Sequence, residues 1–328
     1  MTAVSEAATS SAMRTREATV RRFAVTDMVF RAATRASAIL VLVLLGGVAI
    51  SLIAGSWEAL SKFGFSFLTT ESWNPVTENF GALAPIYGTI VTSAIAILIA
   101  VPIGIGIAVF LTELCPRPLR RPIGIAVELL AGIPSIIYGI WGLFVFAPFL
   151  QTTVQPFIIS LFHGIPGLSS LFAGPPYGIG LLTSSLILAI MVLPFITSIT
   201  KDVFDTVPAV LKESAYGIGC TTWEVTRRVT IPYTRVGIMG GVMLGLGRAL
   251  GETMAVTFVI GNAHRISASL FAPGTTISAT IANEFTEADG NLYTSSLVSL
   301  GLILFIITFI ILALARYMLL RIDSRTGA

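Results

Sequence analysis

Long apolar runs alternate with short polar stretches along this chain. Six runs are long enough to cross a membrane, at about residues 36–55, 86–111, 123–150, 177–200, 236–261 and 295–320. Roughly 20 apolar residues, at a rise of about 1.5 Å each, span a hydrocarbon core of about 30 Å. The pattern predicts an all-α integral membrane protein with six transmembrane helices. Its expected divisions are a basic tail at 1–35, a first transmembrane helix with an aromatic outer loop at 36–84, and a main transmembrane domain at 85–320. A polar loop at 201–235 interrupts that domain, and residues 321–328 form the C-terminal end.

Composition agrees with the pattern. Hydrophobic residues make up 55% of the chain and charged residues 11%, against about 25% charged in soluble domains. The cations fix an orientation. Arg14, Arg16, Arg21, Arg22, Arg31 and Arg35 precede the first span, and Arg117, Arg120 and Arg121 follow the second. Lys201, Lys212, Arg227, Arg228 and Arg235 lie in the polar loop, and Arg316, Arg321 and Arg325 close the chain. The opposite side holds Lys62 and Arg265. Positive charge collects on the cytosolic side, so both termini are expected there. The basic tail is read as an orientation signal beside a membrane helix, with no nucleic-acid role and membrane lipid as its neighbour. No cleavable leader is expected, because the first 35 residues lack an apolar core. Cys115 and Cys220 are too few for a disulfide framework.

The outer segments carry their own signals. Residues 56–84 hold Trp57, Phe63, Phe65, Phe67, Trp73 and Phe80, and read as an interfacial aromatic belt, with a platform for an outer partner as the second reading. Residues 151–176 are rich in Pro and Gly and suggest a re-entrant or surface cap. Asn283, Glu284, Glu287 and Asp289 suggest a polar lip.

The loop between the fourth and fifth spans is too long for a turn. Pro208 opens a first short helix, with Asp205 or Thr206 near its cap, and Gly219 ends it with a positive φ. Thr221 opens a second, with Glu224 completing a capping box, and Ile231-Pro232 is expected to end it. Ala215 and Gly219 leave room for another protein to approach. Glu213-Ser214-Ala215, then Gly219, then Val229-Thr230-Ile231-Pro232 resembles the EAA loop of ABC importer membrane subunits. Ser214, Val229 and Ile231 depart mildly from that pattern. The longer stretches GLGRALGETMAVTFVIGN and ELLAGIPSIIYGIWGLFVFAP are similar to the phosphate-specific importers, and to their PstC-type rather than PstA-type permeases.

That resemblance implies a type I importer fold, with 85–320 as its transmembrane domain. It implies a loop, marked by Glu213, Ser214, Ala215, Gly219 and Pro232, that docks on a cytosolic ATPase. It also implies a PstA-like second permease subunit, two ATPase subunits and an outer phosphate-binding protein. ATP would be bound by the partner, so no cofactor and no metal are expected here. None of the three lysines follows a Gly, so a Walker A loop is missing, and the chain is read as no enzyme in itself.

The fifth run holds the candidate chemistry. Gly237, Gly241 and Gly245 recur at helical spacing, and Gly247 and Gly251 form a second pair. Such stripes let helices approach closely, and here they are read as half of a translocation path. Arg248 and Glu252 stand one turn apart within the apolar run. Charges at that depth must meet a partner or a watery cavity. A structural ion pair and a translocation-path role for an oxyanion are both open, and the arginine fork suits phosphate. Glu128 is read as a charge at a helix start, balanced by Arg120 or Arg121. The alternatives are a permease for another oxyanion or small solute, an intramembrane enzyme and a gated channel. An enzyme would want clustered His, Asp or Ser in the spans, whereas His163 and His264 fall in outer loops. A channel leaves the long polar loop unexplained.

Overall fold

The computed structural model describes residues 2–162, 164–165 and 167–324. His163, Arg325 and the rest of the C-terminal end lie outside the described residues, as do the side chains of Arg14, Arg16, Arg21 and Arg22. Ten helices are labelled here: α1 Thr2–Phe63, α2 Leu83–Leu114, α3 Arg117–Ala131, α4 Ser135–Phe162 and α5 Leu181–Asp205. There follow α6 Ala209–Gly217, α7 Thr222–Leu250, α8 Met254–Thr257, α9 Ile277–Glu284 and α10 Asn291–Ser324. Six of them are long and apolar enough to cross a membrane, among the described residues. A two-residue antiparallel pair, β1 Trp73–Asn74 with β2 Asn79–Phe80, is the small exception to an all-helical architecture.

The chain divides into two units, residues 1–54 and 55–328. The first is a single helix whose apolar side chains, Leu40 to Leu45 among them, are exposed. The second holds the remaining spans and the core. In it, the Ser295 hydroxyl donates to Gly55 O at 2.7 Å and accepts the Ala59 N–H at 3.1 Å.

α5 is the hub of the second unit. It packs along α2, α7 and α3. α2 carries a stripe of small residues at four-residue spacing, Ala84, Gly88, Thr92, Ala96, Ala100, Gly104 and Ala108, all buried; Gly104 meets Ile196 of α5, and Gly88 lies on the Thr275 backbone. α5 supplies the larger partners Ile187, Leu188, Met191, Val192 and Ile196. In lipid the hydrophobic effect gives helices little reason to associate, so close backbone approach and dispersion must do it. The Gly stripe of α7 does the same from the other side. A Cβ on Gly237 would sit 2.5 Å from Val203, and one on Gly245 would sit 2.9 Å from Ile196 and Val192. Gly237, Gly241 and Gly245 therefore face α5 of the same chain, so the close approach read from the stripe is spent on a neighbouring helix within it.

The third span also departs from the pattern. The apolar run at 123–150 is not one helix. α3 ends at Ala131, and Pro134, which lacks an N–H and disfavours helical backbone at Ile133, caps a new helix at Ser135. The membrane-crossing helix is 135–162, and it passes through π-helical turns at Gly142–Phe146 and Leu150–Val154. α3 is a separate amphipathic helix. Glu128 lies in its last turn, not its first, and pairs with Lys201 at 2.9 Å, while Arg120 pairs with Asp205 at 2.5 Å.

The outer aromatics turn inward. Phe67 and Phe80 are fully buried, and Trp73 lies edge-on to Phe80 at 5.0 Å. Trp57 and Phe65 stay exposed. The cluster is a small core within the second unit, where Phe67 and Phe80 pack with Ile277, Leu297 and Leu300, and no belt. Residues 151–162 extend α4, while the loop after them folds over 269–270, where the Leu270 N–H donates to Leu171 O at 2.8 Å.

Candidate functional site

Two features carry the chemistry: the break at the end of α7 and the elbow between α5 and α7. The sequence predicts a helix running through 236–261, with Arg248 and Glu252 as neighbours on one face. The helix instead ends at Leu250. Gly251 caps it, residues 252–253 are non-helical with Thr253 as the cap of the next helix, and α8 begins at Met254. Glu252 therefore leaves the helix face. Its carboxylate accepts the Ala255 N–H at 3.3 Å and serves as the lead-in to α8. No ion pair joins it to Arg248 among the described residues, which corrects the paired reading.

Arg248 occupies the last turn of α7. Its guanidinium carbon lies 4.5 Å from the centroid of the Phe195 ring of α5, a cation–π contact. Its Nε is buried and has no hydrogen-bond partner. Tyr138 of α4 stands within reach of its charge and spends its own hydroxyl on Leu130 O at 2.9 Å. Gly139 lets α4 press on α8, since a Cβ there would come 2.8 Å from the Phe258 ring. The arrangement is a cation held by an aromatic face, with its buried Nε unclaimed among the described residues. Such a group can take an oxyanion through two parallel hydrogen bonds.

The elbow follows the sequence closely, with two corrections. α6 starts after Pro208 with no side-chain cap, because Asp205 is bound to Arg120 and the Thr206 hydroxyl donates back to Val203 O. Gly219 has φ +90°, and the Gly219 and Cys220 N–H groups close the turn on Tyr216 O and Ala215 O. Thr221 and Glu224 form both halves of the capping box. Pro232 ends nothing. α7 runs straight through it, because a π-helical turn at Thr226–Thr230 absorbs the missing donor, with the Ile231 N–H reaching back to Thr226 O. Glu213, Ser214, Gly219 and Pro232 are exposed and Ala215 is half-buried.

Sequence reasoning missed two parts of this elbow. Ile218 and Trp223 are 84% and 65% exposed, so they give the elbow an apolar outer face. Exposed apolar patches mark interaction surfaces. The second part is Lys212, whose ammonium reaches Glu113 at 2.7 Å. Glu113 is 8% exposed and sits in the π-helical turn Phe110–Leu114, so the elbow is tied to the end of α2. The charges stand 99 positions apart, and no local pattern announces the pairing.

The supposed polar lip holds the most connected carboxylate described. Glu284 accepts from Trp73 Nε1 at 2.5 Å and the Tyr293 hydroxyl at 2.8 Å, and pairs with His264 Nε2 at 2.8 Å. The His264 ring stacks on Trp73 at 5.4 Å. Glu284 is thus an internal anchor of the aromatic core, while Glu287 and Asp289 remain exposed. Burial pushes the Glu284 carboxyl up, but the hydrogen bonds from His264, Tyr293 and Trp73 together outweigh that and hold it below the usual range.

The helical fold, with six candidate spans among the described residues and an elbow between the fourth and fifth, has counterparts among solved structures. The chain matches the bacterial alginate ABC transporter in complex with its periplasmic protein at TM-score 0.56 and 19% identity, over 87% of this chain and 94% of that one. It matches the inward-facing MetNI methionine ABC transporter at TM-score 0.51 and 17% identity, over 72% of this chain and 93% of that one. Residues 100–324 match the family described as binding-protein-dependent transport system inner membrane component, and the chain belongs to that family.

Three relatives are similar over most of their length. The phosphate transport system permease protein PstC of Mesorhizobium japonicum is 85% identical over 100% of both chains. That of Pasteurella multocida is 58% identical over 92% of this chain and 94% of its own. The probable counterpart of Methanocaldococcus jannaschii is 40% identical over 80% and 84%.

Proposed function

We infer that this chain is the permease subunit of an ATP-driven importer and forms half of the translocation path for inorganic phosphate. The observation that carries the substrate is the 85% identity, over the full chain, to a phosphate transport permease. The half-buried Arg248, whose Nε is buried without a hydrogen-bond partner among the described residues, supports it on chemical grounds, because phosphate can take what that donor leaves open. Arg248 is the path residue of this reading. Glu252 shapes the path by starting α8 rather than by neutralising the arginine.

The elbow marked by Glu213, Ser214, Ala215, Gly219 and Pro232 docks on a cytosolic ATPase, and the exposed Ile218 and Trp223 supply its apolar contact. Both termini are cytosolic, on the strength of the Lys and Arg distribution. The rest of the assembly is a PstA-like second permease, two ATPase subunits that bind the ATP, and an outer phosphate-binding protein. The test is co-purification with the ATPase, followed by uptake of labelled phosphate in vesicles. Gly219→Arg puts a side chain on a φ of +90°. It is expected to insert normally but to lose ATPase recovery and uptake together. Parental recovery and uptake in that variant would remove the docking role.

A further inference from the structure

A second basic site lies away from Arg248, on the side of the membrane that carries the elbow. α3 presents Arg117, Arg121, Gly124 and Glu128 along one stripe at helical spacing. With Arg120, Ile125 and Lys201 of α5 they line a cleft of about 370 Å³. Two of its cations are already engaged, Arg120 by Asp205 and Lys201 by Glu128. Arg117 and Arg121 have no ion-pair or hydrogen-bond partner among the described residues, and both are exposed. Gly124 is the floor. It is buried, and a Cβ there would come within 3.6 Å of Lys201 Nζ, so a side chain longer than Ala would fill the cleft.

The apolar side of α3 is equally open. Leu119, Ile125 and Leu129 are 52%, 46% and 68% exposed, on a helix that joins a membrane span directly through Gly132–Pro134. A helix with unpaired guanidinium groups and bare leucines on neighbouring faces fits the boundary between headgroups and acyl chains. Basic clefts between membrane helices suit phosphate-bearing headgroups. We propose that this cleft seats the phosphoryl group of an anionic phospholipid, with Arg117 and Arg121 on its oxygens and the acyl chains along Ile125 and Leu129. Free phosphate shares the oxyanion chemistry. The exposed apolar stripe beside the cleft is what selects the lipid.

The experiment places the full chain in phosphatidylcholine bilayers and compares the fraction of spin-labelled phosphatidylglycerol held at the protein with that of spin-labelled phosphatidylcholine. The parent is expected to prefer phosphatidylglycerol, and Arg117→Gln with Arg121→Gln to lose about fivefold of that preference per arginine. Arg316→Gln, which removes a cation outside the cleft, is expected to keep it; an equal loss there would reduce the effect to diffuse charge and overturn the site. Gly124→Leu keeps every charge but fills the cleft, and a full preference in that variant would also overturn it. It decides the matter if the double variant inserts poorly. Displacement of the lipid by millimolar inorganic phosphate, beyond that by chloride of equal ionic strength, would assign the cleft to the free anion and sink the lipid reading.

Discussion

Glu284 and Arg248 are both charged groups turned into the second unit, yet the chain treats them oppositely. Glu284 is met by an indole N–H, a phenol and an imidazole, and its surroundings are aromatic and closed. Arg248 is met by the face of Phe195 and has a buried Nε with nothing to donate to. A half-buried carboxylate with three partners is a fastener. A half-buried guanidinium whose Nε is buried and unpartnered among the described residues leaves one desolvated donor unrepaid. Its persistence is best understood through something that arrives from outside. Satisfied charge holds the aromatic core together, and the unsatisfied charge is the group left free to meet a solute.

The sharpest break of that contrast is Arg248→Gln. No carboxylate is left orphaned by it, so the complex is expected to assemble normally while phosphate uptake falls by two orders of magnitude or more, measured per assembled complex. Arg248→Lys should retain a small part, since the charge survives and the fork does not. Parental uptake in Arg248→Gln would return Arg248 to scaffolding. Glu284→Leu should act the other way. It strands three donors in a closed core and should cost about 3 kcal/mol of stability, read as a lower melting temperature, with uptake per folded molecule little changed.

The same carboxylate predicts a pH dependence. Glu284 has a folded pKa below its unfolded value, so its contribution is complete above the unfolded value and is lost as pH falls through the folded one. Melting curves should show this acid loss in the parent and a flatter profile in Glu284→Gln. An identical acid profile in both would mean that another group is responsible. The smallest effect is expected for Glu252→Gln. It weakens one hydrogen bond to the Ala255 N–H, worth about 1 kcal/mol or less, and uptake should drop only a few-fold. A loss as deep as that of Arg248→Gln would restore the two residues as a functional pair.

Much of this was legible in the residues. The six apolar runs became six spans, and Thr221 with Glu224 formed the capping box their spacing announced. Gly219 took the left-handed conformation that a stop requires. What escaped was mostly local breaking within apolar sequence. Gly132 to Pro134 and Gly251 both carried a stop signal, but hydropathy continues across them and hides it. Pro232 carried a stop signal that a π-helical turn cancelled. The small stripe of α2 went unread because Ala, Gly and Thr look apolar and unremarkable until a partner helix lies on them. Glu284 was taken for surface because its three donors come from positions 73, 264 and 293, which only the tertiary fold assembles.

The ending of α7 at Leu250 sets how strongly Arg248 can hold an anion. A helix carries about half a negative charge at its C-terminus, and Arg248 stands in that last turn, two residues from the end. The partial negative charge of that end lies within two residues of Arg248. An arriving oxyanion is drawn by the fork and repelled by the helix end beneath it. Had the helix run on to Gly261, that opposing dipole would lie three turns away and the arginine would act as a nearly bare cation. The break therefore flattens the well that Arg248 would offer an anion, and a shallow well is one that an anion can leave.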